Sequence, residues 1–312
     1  MSKATIERVG SRISIAGEGL GLFQGKSIVA GIDGLETQVG MNDIPHGLSV
    51  AFGAPFDTTQ PTMDSVGAII RTLQHRGYVK NPNVHISVRS SIPVGLGLSS
   101  SSALLCALAK CFNTHFHLGL SAEELSTIAW EAERIDQGVL CGKFDYYPIL
   151  YRTVLLQDFS QDPIKIQRLK LPADTTVILG MVGDSSRYGE IGKLLTKRFA
   201  DGESGALQYR SFINEHVDFF VDATITKDKQ QIGELIGKFH LAIRNILKIE
   251  NNEIDVLVNV ALQNGAYAAK TCGLRLSGGC MFALCDGNSA KTVQDSLQKL
   301  GATTKEVRIL HE

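Results

Sequence analysis

Glycines and hydroxyl side chains stand together near the middle of the chain, where residues 93–102 read PVGLGLSSSS. Glycines let the backbone bend and approach a ligand closely. A helix that began at the serines would direct its free N–H groups and the positive end of its dipole back at the glycines. The pattern predicts a loop that binds an anion such as phosphate. The candidate loop residues are Pro93, Gly95, Gly97, Leu98, Ser99, Ser100, Ser101 and Ser102.

A structural interpretation of this loop stays open, because a glycine turn followed by a serine N-cap has the same local pattern. Two known nucleotide-binding patterns do not match it. A Walker A loop needs Gly-Lys-Ser/Thr, which is absent, and the dinucleotide fingerprint needs a third glycine where Ser100 stands. The Gly-x-Ser-x-Gly elbow of a serine hydrolase is absent as well.

The elements around this loop can be predicted from periodicity. Residues 84–88 alternate apolar and polar side chains, which predicts a strand before the loop. Residues 99–112 are largely apolar and predict a buried helix after it. Ser121 and Glu124 form a capping-box pattern that predicts the start of a further helix, running to about Ile135.

The 312 residues exceed the size at which one core usually stops growing, so two lobes are expected. Pro163 and Pro172 punctuate the chain between two predicted strands. We therefore divide it into residues 1–165 and 166–312. Strands and helices are interleaved but do not alternate strictly, which favours an α+β class.

The composition excludes several function classes. Hydrophobic residues make up 44% and charged residues 20%, and the formal net charge is -1. There is no basic excess of the kind that binds nucleic acid or a membrane surface. The start of the chain lacks the apolar core of a signal peptide, and no run of about eighteen apolar residues occurs. We expect a cytoplasmic protein with reduced thiols, since none of the six cysteines forms a CxxC pair.

The loop at residues 93–102 is similar to the second motif of the GHMP kinases, the superfamily of galactokinase, homoserine kinase, mevalonate kinase and phosphomevalonate kinase. That motif reads Pro-x-Gly-x-Gly-Leu-Ser-Ser-Ser-Ala. Residues 9–18 (VGSRISIAGE) resemble the first motif, although Gly-Ser replaces its usual Pro-Gly. Residues 265–279 stand where the third, glycine-rich motif belongs, with fewer glycines than usual. The resemblance covers nearly the whole chain, with galactokinases nearest and mevalonate kinases next.

The resemblance implies a two-lobed fold, with an N-terminal ATP-binding lobe and a C-terminal ferredoxin-like α/β lobe. It also implies transfer of the γ-phosphoryl group of ATP to a hydroxyl. Asp145, in the string Cys-Gly-Lys-Phe-Asp, matches the galactokinase aspartate that orients or deprotonates the acceptor hydroxyl. Gly142 of that string is an expected neighbour of the acceptor. Arg12 matches the basic residue of the first motif and is expected beside Asp145, where it would stabilise negative charge.

The metal assignment also follows from the resemblance. Glu133 precedes Asp145 by the interval at which galactokinases place a magnesium-binding glutamate. Mg²⁺ prefers oxygen ligands and keeps several waters. Glu133 and the hydroxyl of Ser101 are therefore the expected protein ligands, and ATP and Mg²⁺ the expected cofactors. Lys270 and Arg275 belong to the weaker third motif, and Arg275 is a hypothetical phosphate contact.

The acceptor is expected to be a sugar or a sugar-like alcohol, with an altered pocket. Galactokinases follow the first-motif glutamate with His-x-Asp, whereas Glu18 is followed here by Gly19-Leu20-Gly21. Without those polar partners galactose itself is doubtful, and Glu18 remains a candidate acceptor-binding residue. The stretch 184–187 (DSSR) is either a helix N-cap or an acceptor contact.

Two rival functions remain open. One is a mevalonate kinase-type isoprenoid kinase, which the short chain favours and the Cys-Gly-x-x-Asp string does not. The other is a catalytically silent sensor of sugar and ATP, which would fit the altered first and third motifs. Retention of Arg12, Ser101, Glu133 and Asp145 together favours an active kinase. A homodimer is also left open.

Overall fold

The computed structural model describes residues 4–53, 59–183 and 190–311. The stretch 184–187 falls outside these ranges. The strands are β1 (Thr5–Ala16), β2 (Lys26–Asp43), β3 (Leu48–Phe52), β4 (Val84–Ser90), β5 (Val154–Asp158), β6 (Lys165–Leu169), β7 (Thr175–Val182), β8 (Ala266–Cys272), β9 (Gly279–Asp286) and β10 (Thr303–Ile309).

Helices pack against these strands along both halves of the chain. The helices within the described ranges are α1 (Thr59–His75), α2 (Ser100–His115), α3 (Ala122–Glu131), α4 (Tyr146–Tyr151), α5 (Glu190–Ala200), α6 (Ser204–Thr226), α7 (Lys229–Asn245), α8 (Asn252–Gln263) and α9 (Gly287–Lys299). No helix in the described ranges is both long and apolar enough to span a bilayer. The mixture of sheet and helices confirms the predicted α+β class.

The described strands form one ten-stranded sheet that runs through both halves of the chain. Its main path is β3-β4-β2-β10-β7-β9-β8, and β1 and β5 pair with the long strand β2. The last strand, β10, pairs with β2 on one side and with β7 on the other, antiparallel in both cases. The proposed division at residue 165 stays a prediction. In the structure residue 165 begins β6, which pairs with β5.

Helix α2 lies at the centre of the first half because its side chains are apolar on every side. Ten of its residues are buried, among them Leu104, Leu108 and Phe112. It packs against β1 and β2, so the serines of its first turn are fixed relative to both strands. Burial of this kind contributes about 1.5–3 kcal/mol for each large side chain. The core thus sets the position of the loop at residues 93–102.

Helix α3 and the turn that follows it position Glu133. The predicted capping box is present at its start, with reciprocal hydrogen bonds between Ser121 and Glu124. After Glu131 the helix widens into a π-helical turn over Ala132–Asp136. Such turns shift the side-chain register of a helix and often occur at functional sites. Here the turn leaves Glu133 buried while Ile135 is 67% exposed.

Candidate active site

A cavity of about 340 Å³ opens beside the N-terminus of α2. It is lined by residues from β1, from the loop at residues 93–102 (the glycine–serine loop), from the π-helical turn and from the segment before α4. Its lining residues are Arg12, Val94, Gly95, Gly97, Ser99, Ser100, Ser101, Ser102, Glu133, Cys141 and Asp145. The structure therefore brings together most of the residues that the sequence nominated.

The glycine–serine loop forms one wall of the cavity. Its backbone adopts left-handed conformations that glycine permits. Gly97 has φ +88°, and a Cβ atom there would overlap the carbonyl oxygen of Cys272 at the end of β8. Ser99, the residue before α2, also has a positive φ, and its side chain makes no capping bond. The Ser99 hydroxyl is buried without a hydrogen-bond partner in the described part of the chain. A buried hydroxyl at a helix N-terminus is suited to an incoming phosphate oxygen.

Arg12 and Asp145 form an ion pair at the floor of this cavity. The Arg12 Nε atom donates to Asp145 Oδ1 at 2.5 Å, and Arg12 Nη1 donates to the Gly97 carbonyl oxygen at 2.7 Å. The guanidinium also lies 5.6 Å from the centre of the Phe144 ring. One arginine therefore joins the carboxylate to the glycine loop, and the pair keeps a negative oxygen close to that loop.

Glu133 also lines the cavity and is only 4% exposed. Burial raises the pKa of its carboxyl, and hydrogen bonds from Tyr146, Ser101 and Ser102 oppose that rise. The negative charge of Asp145 raises the same pKa further. A divalent cation at this position would offset both the burial and the repulsion between the two carboxylates.

The donor set fits Mg²⁺. The Glu133 carboxylate and the Ser101 hydroxyl are within hydrogen-bond reach of each other, and both are oxygen donors that face the cavity. No group of three or more His, Cys, Asp or Glu side chains with metal-binding geometry occurs in the part of the chain that the structure describes. Mg²⁺ ordinarily takes one or two protein ligands and completes its shell with waters and substrate phosphates, so a small protein set suits it.

The structure does not bring Glu18 into this cavity. Glu18 is 2% exposed and forms an ion pair with Lys270, which is fully buried in β8. Its second oxygen accepts a hydrogen bond from the Tyr209 hydroxyl at 3.3 Å. Lys270 Nζ also donates to the carbonyl oxygens of Ser14 and Thr271. Burial lowers the pKa of Lys270 to about 7. This geometry favours a structural role for Glu18 over acceptor binding, which stays a sequence prediction.

The first-motif glycines have apolar neighbours. A Cβ atom at Gly19 would lie 2.9 Å from a methyl group of Leu195, and one at Gly21 would lie 3.1 Å from the Phe144 ring. Gly142 packs directly on the Gly21 backbone, and it is not among the residues that line the cavity. The space that polar side chains would need at positions 19 and 21 is therefore filled by Leu195 and Phe144.

The third motif, at residues 265–279, contacts the site through backbone atoms and not through its charged side chains. The end of β8 packs against Gly97, but Lys270 points into the core, as its contacts show. Arg275 is buried beside a separate small cavity with His240 and Asn251. Asn251 holds the loop after β8 by donating to the carbonyl oxygens of Arg275 and Gly278. Arg275 is thus not among the residues that line the cavity of about 340 Å³, and its contact with phosphate stays a sequence prediction.

Two residues that the sequence did not nominate are part of the site. Cys141 lines the cavity, and Tyr146 contacts Glu133 from behind it. Cys141 is the first residue of the Cys-Gly-Lys-Phe-Asp string, and Tyr146 follows directly after its last residue. Their adjacency to Asp145 was the available signal, because nothing in their spacing relates them to Glu133.

Comparison with known proteins assigns the family. Residues 64–153 match the family model described as GHMP kinases N terminal domain, and residues 220–303 match the one described as GHMP kinases C terminal. The chain belongs to the GHMP kinases, and the resemblance seen in the motifs is confirmed.

Individual relatives point mainly to sugar kinases. The galactokinase of Pyrococcus furiosus is 25% identical over 262 residues, which cover 75% of this chain and 73% of that protein. The D-glycero-alpha-D-manno-heptose 7-phosphate kinase of Campylobacter jejuni is 24% identical over 233 residues, covering 72% and 68%.

Solved structures share the whole fold. Lactococcus lactis galactokinase, solved in complex with galactose, superposes with a TM-score of 0.83 at 17% identity, covering 98% of this chain and 94% of that one. Methanococcus jannaschii mevalonate kinase superposes with a TM-score of 0.80 at 18% identity and covers 99% of both chains. The two-lobed kinase fold is thereby confirmed, and at these identities it carries no information on the acceptor.

Proposed function

We propose that this protein is an ATP-dependent kinase that transfers the γ-phosphoryl group to a hydroxyl of a sugar or sugar-like metabolite. The observation that carries the proposal is the Arg12–Asp145 ion pair, bound to the glycine–serine loop through Gly97. It sets a carboxylate in the cavity that the N-terminus of α2, Glu133 and Ser101 also line. Phosphoryl transfer needs these parts: an anion cradle, metal ligands and a group that positions the attacking oxygen.

Each part has a definite task in the reaction. The N–H groups and hydroxyls at the start of α2 would hold the phosphate oxygens. Glu133 and Ser101 would hold Mg²⁺, which supplies neutralisation of the β- and γ-phosphate charge. Asp145 accepts the hydrogen bond of the acceptor hydroxyl and takes its proton as the oxygen–phosphorus bond forms. The bond between the γ-phosphorus and the bridging oxygen breaks, and ADP leaves. Arg12 pairs with the Asp145 carboxylate and stabilises negative charge in the transition state.

The acceptor pocket is proposed to differ from that of galactokinases. Leu195 and Phe144 occupy the space beside Gly19 and Gly21, so these two positions offer apolar contact in place of the hydrogen bonds that His-x-Asp gives in galactokinases. A site without such bonds loses the discrimination they provide. Two relatives, a galactokinase and a heptose 7-phosphate kinase, show that sugar kinases of this family take different sugars. We therefore expect a sugar other than galactose.

Magnesium-dependent ADP release from the purified protein tests the proposal. The acceptor panel contains galactose and other hexoses, deoxy and amino sugars, uronic acids, heptose phosphates, mevalonate and homoserine. Asp145→Asn is compared with Asp218→Asn. Asp218 lies on α6, and its exposed carboxylate is paired with Lys26 of β2. A sugar-dependent signal that Asp145→Asn lowers by about 10²–10⁴-fold, and that Asp218→Asn keeps, would support the proposal.

Other outcomes would change the assignment. A signal with mevalonate alone would replace the sugar kinase by an isoprenoid kinase. Binding of ATP without turnover on any acceptor would favour a sensor that binds sugar and ATP. A signal that Asp145→Asn leaves intact would overturn the role given to Asp145.

A further inference from the structure

Tyr146 is a fully buried tyrosine directly behind the candidate metal ligand. It is the first residue of α4 and follows Asp145 in a short 3₁₀ turn over Lys143–Asp145. Its side chain is 0% exposed, and it does not line the cavity. A buried phenol normally finds a hydrogen-bond partner, since an unpaired hydroxyl in the core is costly.

The contacts of this hydroxyl fix the direction of its hydrogen bonds. Tyr146 lies within hydrogen-bond distance of Glu133 Oε2, and Cys141 Sγ lies 3.4 Å from the same hydroxyl. An ionised carboxylate can only accept, so the phenol proton goes to Glu133. The Cys141 thiol must then donate to the phenol oxygen. The result is a chain of donors, from Cys141 to Tyr146 to Glu133, that ends on the carboxylate.

Glu133 is thereby held from two sides. The hydroxyls of Ser101 and Ser102 bond to it from the cavity wall, while Tyr146 bonds to it from the core. When a cation enters the cavity, the serine hydroxyls are free to turn toward the cation and the phosphates. Tyr146 cannot do so, because it lies outside the cavity lining. Its bond is the one that can persist with the cation in place.

We propose that Tyr146 is a positioning residue, one that orients the Glu133 carboxylate for a divalent cation held together with the nucleotide. This inference rests on the proposed function, because it takes Glu133 as a metal ligand. Outer partners that hydrogen-bond a ligating carboxylate fix its orientation toward the metal. Tyr146 therefore acts on cation binding and leaves the contacts of the acceptor unchanged.

Cation binding can be measured without turnover. Mn²⁺ replaces Mg²⁺, and free Mn²⁺ is followed by electron paramagnetic resonance in the presence of a non-hydrolysable ATP analogue. Tyr146→Phe removes only the hydroxyl. Tyr147→Phe is the matched control, since Tyr147 is buried in the same helix and hydrogen-bonds Thr127 instead of Glu133. We expect Tyr146→Phe to weaken Mn²⁺ binding by about tenfold or more, and Tyr147→Phe to leave it unchanged.

Two further measurements separate positioning from folding. Thermal unfolding of both phenylalanine variants shows whether a loss of binding reflects a loss of structure. In a Glu133→Gln background, Tyr146→Phe should cause no additional loss of Mn²⁺ binding, because its partner carboxylate is gone. Equal Mn²⁺ affinity for wild type and Tyr146→Phe would overturn the proposal, as would equal losses in the two phenylalanine variants.

The wild-type protein distinguishes this proposal from the proposed function. Mn²⁺ binding with the expected Tyr146→Phe loss, but without phosphorylation of any acceptor, would support Tyr146 and contradict the kinase assignment. A wild-type protein that does not bind Mn²⁺ with nucleotide would overturn the metal assignment and, with it, the role of Tyr146.

Discussion

Arg12 and Asp145 lie 133 positions apart in the chain and meet through a hydrogen bond of 2.5 Å between Nε and Oδ1. The remaining donors of the guanidinium include Nη1, which bonds the Gly97 carbonyl oxygen. A strand, a loop and a 3₁₀ turn from distant parts of the sequence are joined by one side chain. The Asp145 carboxylate and the loop at residues 93–102 are therefore kept at a fixed distance from each other.

Arg12→Lys should lower kcat by about a hundredfold or more, because an ammonium group cannot reproduce the planar fork that joins Asp145 to Gly97. Steady-state kinetics with the acceptor identified by the panel would measure the change. Arg8→Lys is the control, since Arg8 lies on the same strand with its side chain 58% exposed. Equal kcat values for the two lysine variants would contradict this prediction.

Gly97→Ala should destabilise the protein by at least about 1–2 kcal/mol, the usual cost of a left-handed backbone for a residue with a Cβ atom. The overlap with the Cys272 carbonyl adds to that cost. Urea unfolding would measure it. Gly237→Ala offers a matched control in the middle of α7, where a Cβ atom would meet nothing within 4 Å. That substitution should stabilise the protein by about 0.5–1 kcal/mol, and the prediction fails if both variants shift in the same direction.

Breaking the Glu18–Lys270 pair should be costly, because the remaining partner would be a buried, uncompensated charge. Lys270→Met and Glu18→Gln are each expected to lower the free energy of unfolding by about 3–5 kcal/mol. The double variant should lose less than either single variant. Denaturant unfolding of all three tests this, with Lys26→Met as a control, since the Lys26–Asp218 pair is exposed and should contribute about 1 kcal/mol or less. If Glu18 contacted the acceptor instead, its replacement would raise KM and leave stability unchanged.

The capping box of α3 should make stability depend on pH. Hydrogen bonds from the backbone and side chain of Ser121 lower the pKa of Glu124 below its usual value of 4.5. The folded state therefore prefers the ionised carboxylate, so the contribution is fully present above pH 4.5 and is lost as the pH falls through the lower folded value. Compared with Glu124→Gln, the wild type should be the more stable at pH 7, and the difference should vanish in acid. A difference that stays constant in urea midpoints across this range would refute the prediction.

The sequence predicted the elements whose periodicity is strong. The helix over residues 99–112 and the strand over residues 84–88 occur as α2 and β4, with small shifts at their ends. Strand β3 was missed because it lies at an edge of the sheet and is largely exposed, which leaves no alternation to detect. Strand β8 was missed because its small side chains resembled part of a glycine-rich phosphate motif.

The site was predictable only as far as its motifs extend. The serines were nominated by their pattern with the glycines, and Arg12, Asp145 and Glu133 by the resemblance to GHMP kinase motifs. These residues line one cavity. The contact between Glu133 and Tyr146 could not be read from the sequence, because Glu133 lies in a π-helical turn that the helical periodicity did not indicate. The Glu18–Lys270 pair joins positions 252 residues apart, and no local pattern reports such a contact.

Strand β10 closes the sheet between β2 and β7, although it is made after both of them. While the chain is being synthesised, β2 has an unpaired edge next to residues Ile32 and Asp33 until residues 303–309 have emerged. Exposed strand edges invite pairing with other chains. The sheet that joins the two halves of this kinase can therefore be completed only after residues 303–309 have been made, and the nascent chain should depend on chaperone protection for longer than a protein whose sheet is built in sequence order.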